Sequence, residues 1–476
     1  MKRYINKWAV LFLFFFSITS CDDILDVEVF SELSPEVSSE TVIQSVLYNA
    51  YASARYPFFN GGIIRYFGAE MTTGVAWNEG GAVASRLNQL RSFTWASNHG
   101  DITAGWNISY QGIRDANILL DNVDESTPFG RQIAAEAKFI RAFLYSYLYD
   151  WFGPVPLRTS TIQERYLPRA TSEQIWAQIE TDLLEAAEVL PVVALEKGRA
   201  NKGAAYGVLA KHYLNTKQWQ KAADMTQTII DMGIYDLLPD YRSVFTVANK
   251  GNRELLWVLP RTSSGASGNV GGGEYINAIS FPTDYPLLPT QQVYAASTHY
   301  YDFFVNSFES GDNRADLFLR SYVNTSGQTR VLHGNNRSIS MKFEFHPSDV
   351  GPAGSTDQPE VRFSDILLTR AEALNELQGP NQESIDLINR VRNRAGASSL
   401  QLASFASTEE LRAAILRERE WEFWSEAKLR QDYIRHDVFI SRARERGVDA
   451  QPHHVRFPIP LAEVNSNPEI EQTEGY

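Results

Sequence analysis

Apolar residues recur three and four positions apart over long stretches of this chain. Ile133, Ala137, Ile140, Leu144, Leu148 and Trp151 make one such stripe, which predicts a helix that stops before Gly153-Pro154. Thr171 with Gln174 predicts a capping box for the next helix, whose Ile175, Ile179, Leu183 and Leu190 form the buried face before Pro191 ends it. Residues 202–215 and 219–232 read as two antiparallel helices joined by a short polar turn. Their Leu209, Tyr213, Ala222 and Ile229 fall at spacings like those of a tetratricopeptide repeat. A second helical pair is predicted at 363–378 and 382–394. Ser407 and Glu410 cap a further helix that carries Leu411 and Ile415 inward and continues through the charged stretch 417–435. The pattern predicts a mostly α scaffold of helix hairpins.

Two stretches break this periodicity. Residues 56–112 mix Gly, Asn and Ser with Tyr66, Phe67, Trp77, Trp95, Trp106 and Tyr110. Residues 261–273 (RTSSGASGNVGGG) are polar and glycine-rich, and residues 274–301 are dense in Tyr, Phe and Pro. Both read as loop. Large aromatics outside periodic segments are not all needed for helix packing, so some are expected to face a ligand.

Composition narrows the chemistry. The 476 residues are 43% hydrophobic, which suits one large domain or two intimate ones. A net charge of −13 disfavours general nucleic-acid binding, because an acidic surface repels phosphate backbones. The single cysteine excludes a disulfide framework, an iron–sulfur cluster and a Cys-type zinc site. It sits at a telling place. Lys2, Arg3 and Lys7 precede the apolar run Trp8 to Phe16, too short to span a bilayer permanently, and Ile18-Thr19-Ser20-Cys21 resembles a bacterial lipobox. Residues 1–20 therefore read as a lipoprotein signal peptide, Cys21 as the lipidated residue, and residues 21–35 as a polar, acidic tether. The alternative is an ordinary cleaved signal with a chance cysteine.

Further strings follow in order: Asp22-Asp23-Ile24-Leu25-Asp26; AEAKFIRAFLYSYLYDWFGPVPL from Ala135 to Leu157; the helix from Arg169 to Pro191 with Asp182 and Leu183; and KGAAYGVLAKHYL from Lys202 to Leu214. VRFSDILLTRAEALNE then runs from Val361 to Glu376, LINRVRNRAGA from Leu387 to Ala397, and EREWEF from Glu418 to Phe423. The tail carries Pro458-Ile459-Pro460, Asn467-Pro468 and Gly475-Tyr476. Together these resemble the SusD/RagB outer-membrane nutrient-binding lipoproteins of Bacteroidetes. Two departures are visible. The chain has Glu426-Ala427-Lys428-Leu429 where the family writes Glu-Gly-x-Arg, and Gln472-Thr473-Glu474 where Gln-Asn-Pro is usual.

The resemblance implies a SusD-like domain over residues 36–476, mostly helical, with four tetratricopeptide-like hairpins cradling an irregular, loop-rich ligand face. The first hairpins and ligand loops would lie in 36–300 and the second hairpins in 301–476. It also implies a lipid-anchored protein of the cell outer membrane, facing outward. Such a protein sits as a lid over a SusC-like TonB-dependent transporter and hands it oligosaccharides or peptides.

A sugar presents an apolar CH face that stacks on Trp or Tyr, and hydroxyls that hydrogen-bond to Asn, Asp, Glu or Arg. Trp77-Asn78-Glu79 puts an indole, an amide and a carboxylate side by side in a glycine-flanked stretch, with Glu70 and Arg86 nearby and Tyr66 and Trp95 beyond. The resemblance points to such early loops as ligand contacts. The second half of the site is expected from Tyr275, Tyr285 or Tyr294. For each aromatic the alternative is a core or transporter-facing position.

Enzyme readings find less support. Glu372 and Glu376, like Glu418 and Glu422, lie four apart on helices with Arg370 and Arg419 in reach, which reads as an ion network ahead of a glycosidase pair. His453-His454 lacks the spacing of a zinc hydrolase, and no HExxH or GxSxG occurs. Gly271-Gly272-Gly273 runs into Glu274, which would repel a phosphate. No catalytic residue, metal or cofactor is expected. The readings that remain are an oligosaccharide-capturing surface protein, a structural lid or peptide-binding homologue, and, third, a surface glycoside hydrolase.

Overall fold

The computed structural model describes residues 39–55, 64–81, 83–263, 275–294 and 297–476. The leader, Cys21 and the tether to residue 35 lie outside these residues, as does most of the glycine-rich stretch 261–273. Contacts divide the chain into Met1–Ile43, whose residues 40–43 open a helix, and Gln44–Tyr476, which holds the features that follow.

The helices form where local signals call for them. Those that build the scaffold include α1 Glu40–Arg55, α2 Ile64–Thr73, α3 Ala84–Ser92, α4 Gly100–Asn122, α5 Pro128–Phe152, α6 Ser172–Val189, α7 Lys202–Asn215 and α8 Trp219–Asp231. After a loop-rich middle come α9 Phe363–Gln378, α10 Gln382–Arg394, α11 Thr408–Phe423 and α12 Leu429–Arg435. The Thr171 hydroxyl accepts from Gln174 N while the Gln174 side chain accepts from Thr171 N, the reciprocal cap predicted for α6. Asn201, Asn381 and Ser407 cap α7, α10 and α11 through a side-chain oxygen. The helices pack as successive hairpins, α4 with α5, α5 with α6, α7 with α8 and α9 with α10, and α9 also meets α8 and α11. Leu209, Ile229, Ile366 and Ile388 are fully buried between them. The mostly α scaffold of hairpins is the fold the chain adopts.

Two expectations are corrected. Residues 56–112 are not mainly loop, since α2, α3 and the first half of α4 lie there. Their Tyr66, Phe67, Trp95 and Trp106 are core residues, Trp106 packing edge-on against Phe152 of α5. Apolar area decides this: a buried aromatic ring contributes more to a helix interface than glycine and asparagine neighbours cost it. The helix from Ser407 does not continue to residue 435 either. It ends at Phe423, and residues 424–428 turn before α12, with Ser425 at φ 62° and Ala427 at φ 60°. That left-handed conformation favours glycine, and Ala427 stands where the related pattern has glycine. Ala427→Gly is therefore expected to raise stability by about 1 kcal/mol, relief of the Cβ clash outweighing the added chain entropy. A shift of the urea midpoint to higher concentration checks it, and an unchanged or lower midpoint would refute it.

The carboxylates at helical spacing do form an ion network, but with other partners than Arg370 and Arg419. Glu422 accepts from Arg314, Arg362 and Arg394, and Glu418 from Arg314 and Arg392. Glu372 pairs with Arg435, and Glu376 with Arg412. Arg370 instead binds Glu383, and Arg419 binds Asp365 and Asp432. The buried members tie α10 and α11 to the irregular middle.

Short strands run through that middle, joined by β1 Ala76–Asn78 from the early segment: β2 Leu255–Leu259, β3 Thr298–Tyr300, β4 Phe318–Leu319, β5 Ser321–Val323, β6 Thr329–Val331, β7 Ile339–Ser340 and β8 Gln358–Arg362. Among the described residues they pair antiparallel as β1 with β3, β2 with β8, β4 with β7 and β5 with β6. The β1/β3 ladder joins the early segment to one more than two hundred residues later.

Candidate functional site

Alternation along β1 and β3 sorts their side chains onto two faces. Ala76 and Asn78 from β1, with Thr298 and Tyr300 from β3, turn inward and are buried. Trp77 lies opposite His299 in the register, and Glu79 and Tyr301 follow two residues on along the same face. The Trp77 and His299 rings are 5.0 Å apart, Trp77 and Tyr301 6.3 Å, and Tyr301 stacks on Phe303 at 5.8 Å. Phe303 is 58% exposed, a large ring left in water.

The loop after β6 holds this face in place. Trp77 Nε1 donates to the Asn336 carbonyl at 2.6 Å, which fixes the indole plane. Asn336, at φ 58°, exchanges hydrogen bonds with Asp302: its N–H donates to Asp302 Oδ2 at 2.8 Å, and Asp302 N–H donates to its Oδ1 at 3.0 Å. Asparagine tolerates that conformation better than most residues. The Arg337 guanidinium sits 5.9 Å from the Trp77 ring centre and 2.6 Å from Glu79 Oε1. His299 faces an acceptor at each ring nitrogen, the Arg337 carbonyl at 2.9 Å and Glu79 Oε2 at 3.0 Å, and a neutral imidazole satisfies only one of them. Burial lowers the His299 pKa against these acceptors. For Glu79, burial works upward, but the His299 hydrogen bond and Arg337 outweigh it and hold the carboxyl below its ordinary value. An ionised, doubly paired carboxylate is a good hydrogen-bond acceptor and the opposite of a general acid.

A second aromatic group adjoins the same loop. Tyr285 packs on Phe281 at 4.7 Å and on Tyr322 of β5 at 5.3 Å. These rings sit on a small core of Phe281, Leu332 and Ile339. The Tyr322 hydroxyl donates to Asp284, which also accepts from Arg330 at 3.1 Å. Tyr275 and Tyr294 stack at 6.5 Å with planes 18° apart, and Tyr294 is 47% exposed.

The sequence candidates thus separate. Trp77 and Glu79 share the exposed face. Asn78 points the other way, donating to Ser297 O and Thr298 Oγ1. Tyr66 and Glu70 are fully buried around Tyr300 and Ser425, so neither offers surface to a sugar ring. Trp95 is buried too, its Nε1 donating to the Tyr476 hydroxyl at 2.7 Å. Arg86 is committed to Asp101 at 2.7 Å. Sequence reasoning missed His299, Tyr301, Phe303, Asn336 and Arg337. The aromatic density of residues 298–304 was the one signal available for three of them.

Residues 23–214 match a family described as starch-binding and associating with the outer membrane, and residues 322–476 match the SusD family. A SusD-like protein of Formosa agariphila is 25% identical over 99% of this chain and 98% of its own length. The starch-binding protein SusD of Bacteroides thetaiotaomicron is 24% identical over 84% of this chain and 82% of its own. Among solved structures, a laminarin-binding SusD-like protein superimposes with a TM-score of 0.78 at 24% identity, covering 92% of this chain and 99% of that one.

Proposed function

Starting from a chain that belongs to the SusD/RagB family and associates with the outer membrane, we propose that it captures oligosaccharides on the Trp77 face and delivers them to a SusC-like TonB-dependent transporter. Lipid on Cys21 would anchor it, with the body facing outward. The observation that carries this reading is the joining of a partly exposed indole, two further rings and a fixed Glu79–Arg337 pair on one surface. Stacking surface and prepaid hydrogen-bonding geometry are what a sugar ring needs. Relatives that bind starch and laminarin support the substrate class. Tyr285 with Tyr322, and Tyr275 with Tyr294, are proposed as flanking contacts for a longer chain. The role requires no catalysis.

Calorimetric titration of an oligosaccharide panel tests the proposal. Wild type is expected to bind at least one glycan. Trp77→Ala should weaken it about 10- to 100-fold, corresponding to roughly 1–3 kcal/mol of ring stacking, with little change in melting temperature. Equal binding by the variant would move the site elsewhere. Failure of wild type to bind any glycan while it co-purifies with the transporter would favour the structural lid.

A further inference from the structure

A cavity of about 220 Å3 lies between the C-terminal half of α1, the turn before α7 and the end of β2. It is smaller than the roughly 300–1,000 Å3 of sites for drug-sized ligands and so suits a single ring. Tyr48, Tyr51 and Trp257 contribute its aromatic lining, Arg55, Lys197 and Arg199 its cations, and Glu196 one carboxylate.

Nearly every polar group around it is already committed. The Tyr51 hydroxyl donates to Glu136 at 2.6 Å and accepts from Ala200 N at 2.8 Å. Arg199 Nε donates to Glu136 at 2.9 Å, the Tyr48 hydroxyl donates to Glu196 at 3.2 Å, and Trp257 Nε1 donates to the Gly198 carbonyl at 3.0 Å. Lys197 reaches Asp357 at 3.7 Å. Arg55 is the exception. It lines the cavity, is largely withdrawn from water, and makes neither hydrogen bond nor ion pair among the described residues; burial alone acts on its pKa, lowering it. A guanidinium carries five donors in a planar fork, and a withdrawn arginine is normally paired. Here the fork is left open toward a ring-sized space in a protein of net charge −13.

We propose that this cavity is a second binding site, separate from the Trp77 face, for a carboxylate-bearing sugar ring. The carboxylate of a uronate would dock bidentate on Arg55, and its ring would lie against the aromatic lining. The planar fork selects a carboxylate over a hydroxyl, and the aromatic walls select a ring over a small free anion. That the ring is a sugar rests on the function proposed above; the anion site does not.

Calorimetric titration of the purified full-length protein with glucuronate, glucose and acetate tests this, using wild type, Arg55→Met and Trp77→Ala. Glucuronate is expected to saturate wild type and Trp77→Ala alike, with glucose and acetate at least tenfold weaker. Arg55→Met should lose at least tenfold for glucuronate. The unliganded Arg55→Met protein should melt at or above the wild-type temperature, because the deleted charge had no partner to lose. Undiminished glucuronate binding by Arg55→Met, no binding by wild type, or a variant that melts well below wild type would overturn the site. Acetate as tight as glucuronate would overturn the sugar assignment alone. Glucuronate lost in Trp77→Ala but kept in Arg55→Met would overturn the second site and leave the Trp77 reading standing.

Discussion

Glu422→Gln is expected to cost about 3–5 kcal/mol of folding stability, the range for breaking a buried ion pair by removing one partner. Glu422 is fully buried in α11. It accepts from Arg314 at 3.0 Å and also from Arg362 and Arg394. Burial works to raise its pKa, but Arg394, Arg362 and Arg314 outweigh burial and hold the carboxyl far below its ordinary value. Glutamine keeps the shape, removes the charge and turns an amide NH2 toward a guanidinium. Three arginines would then share Asp312, Glu254, Glu418 and Glu426, of which Arg394 keeps only Glu254. Those arginines come from α10, from β8 and from the 3-10 turn Asn313–Leu317, so the loss falls where the helical scaffold meets the irregular middle. Urea denaturation checks the expectation. A loss under about 1 kcal/mol, the value of a surface pair, would show that the network does not hold these parts together.

The second large effect concerns pH. Glu70, fully buried in α2, has its pKa pushed up to about 7 by burial, and the Tyr300 hydroxyl donating at 3.1 Å, with Lys342 beyond, offsets that only partly. The value is raised above that of the unfolded chain, so the folded state holds the proton more tightly. The stability this confers is present in full below the ordinary carboxyl value of 4.5 and is lost as pH rises through about 7. At roughly 1.4 kcal/mol per pKa unit the loss is about 3 kcal/mol. Comparison with Glu70→Gln, which cannot ionise, isolates it: wild type should lose about that much relative to the variant between pH 4.5 and pH 8. A constant difference between the two proteins across that range would mean Glu70 titrates normally. Tyr300 follows His299 in β3, which carries part of the proposed ligand face, so Glu70 titrates in the layer directly beneath it.

The helices were legible residue by residue because their signals are local. The Thr171 and Gln174 cap, the Ser407 cap and the apolar stripe ending at Gly153 each lie within one or a few turns, and each forms as read. The break at 424–428 was not legible, since nothing nearby in sequence stops α11. Ser425 and Ala427 take left-handed backbone where Ser425 meets Tyr66, Tyr300 and Ser340, all distant in the chain.

The proposed ligand face divides in the same way. Trp77 and Glu79 could be chosen from composition, but the alternation that turns Asn78 inward needs β1 to be a strand, and β1 exists only because β3 pairs with it. Arg337 and His299 complete the face from more than two hundred residues away. Burial is likewise a property of the assembled chain: Tyr66 and Trp95 carry the same ring chemistry as Trp77 and Tyr301, yet core packing consumes them. Residue types and short spacings specify helices, caps and the kinds of side chain available for recognition. Which of those side chains meet water depends on strand register and packing between distant segments, and no local pattern encodes either.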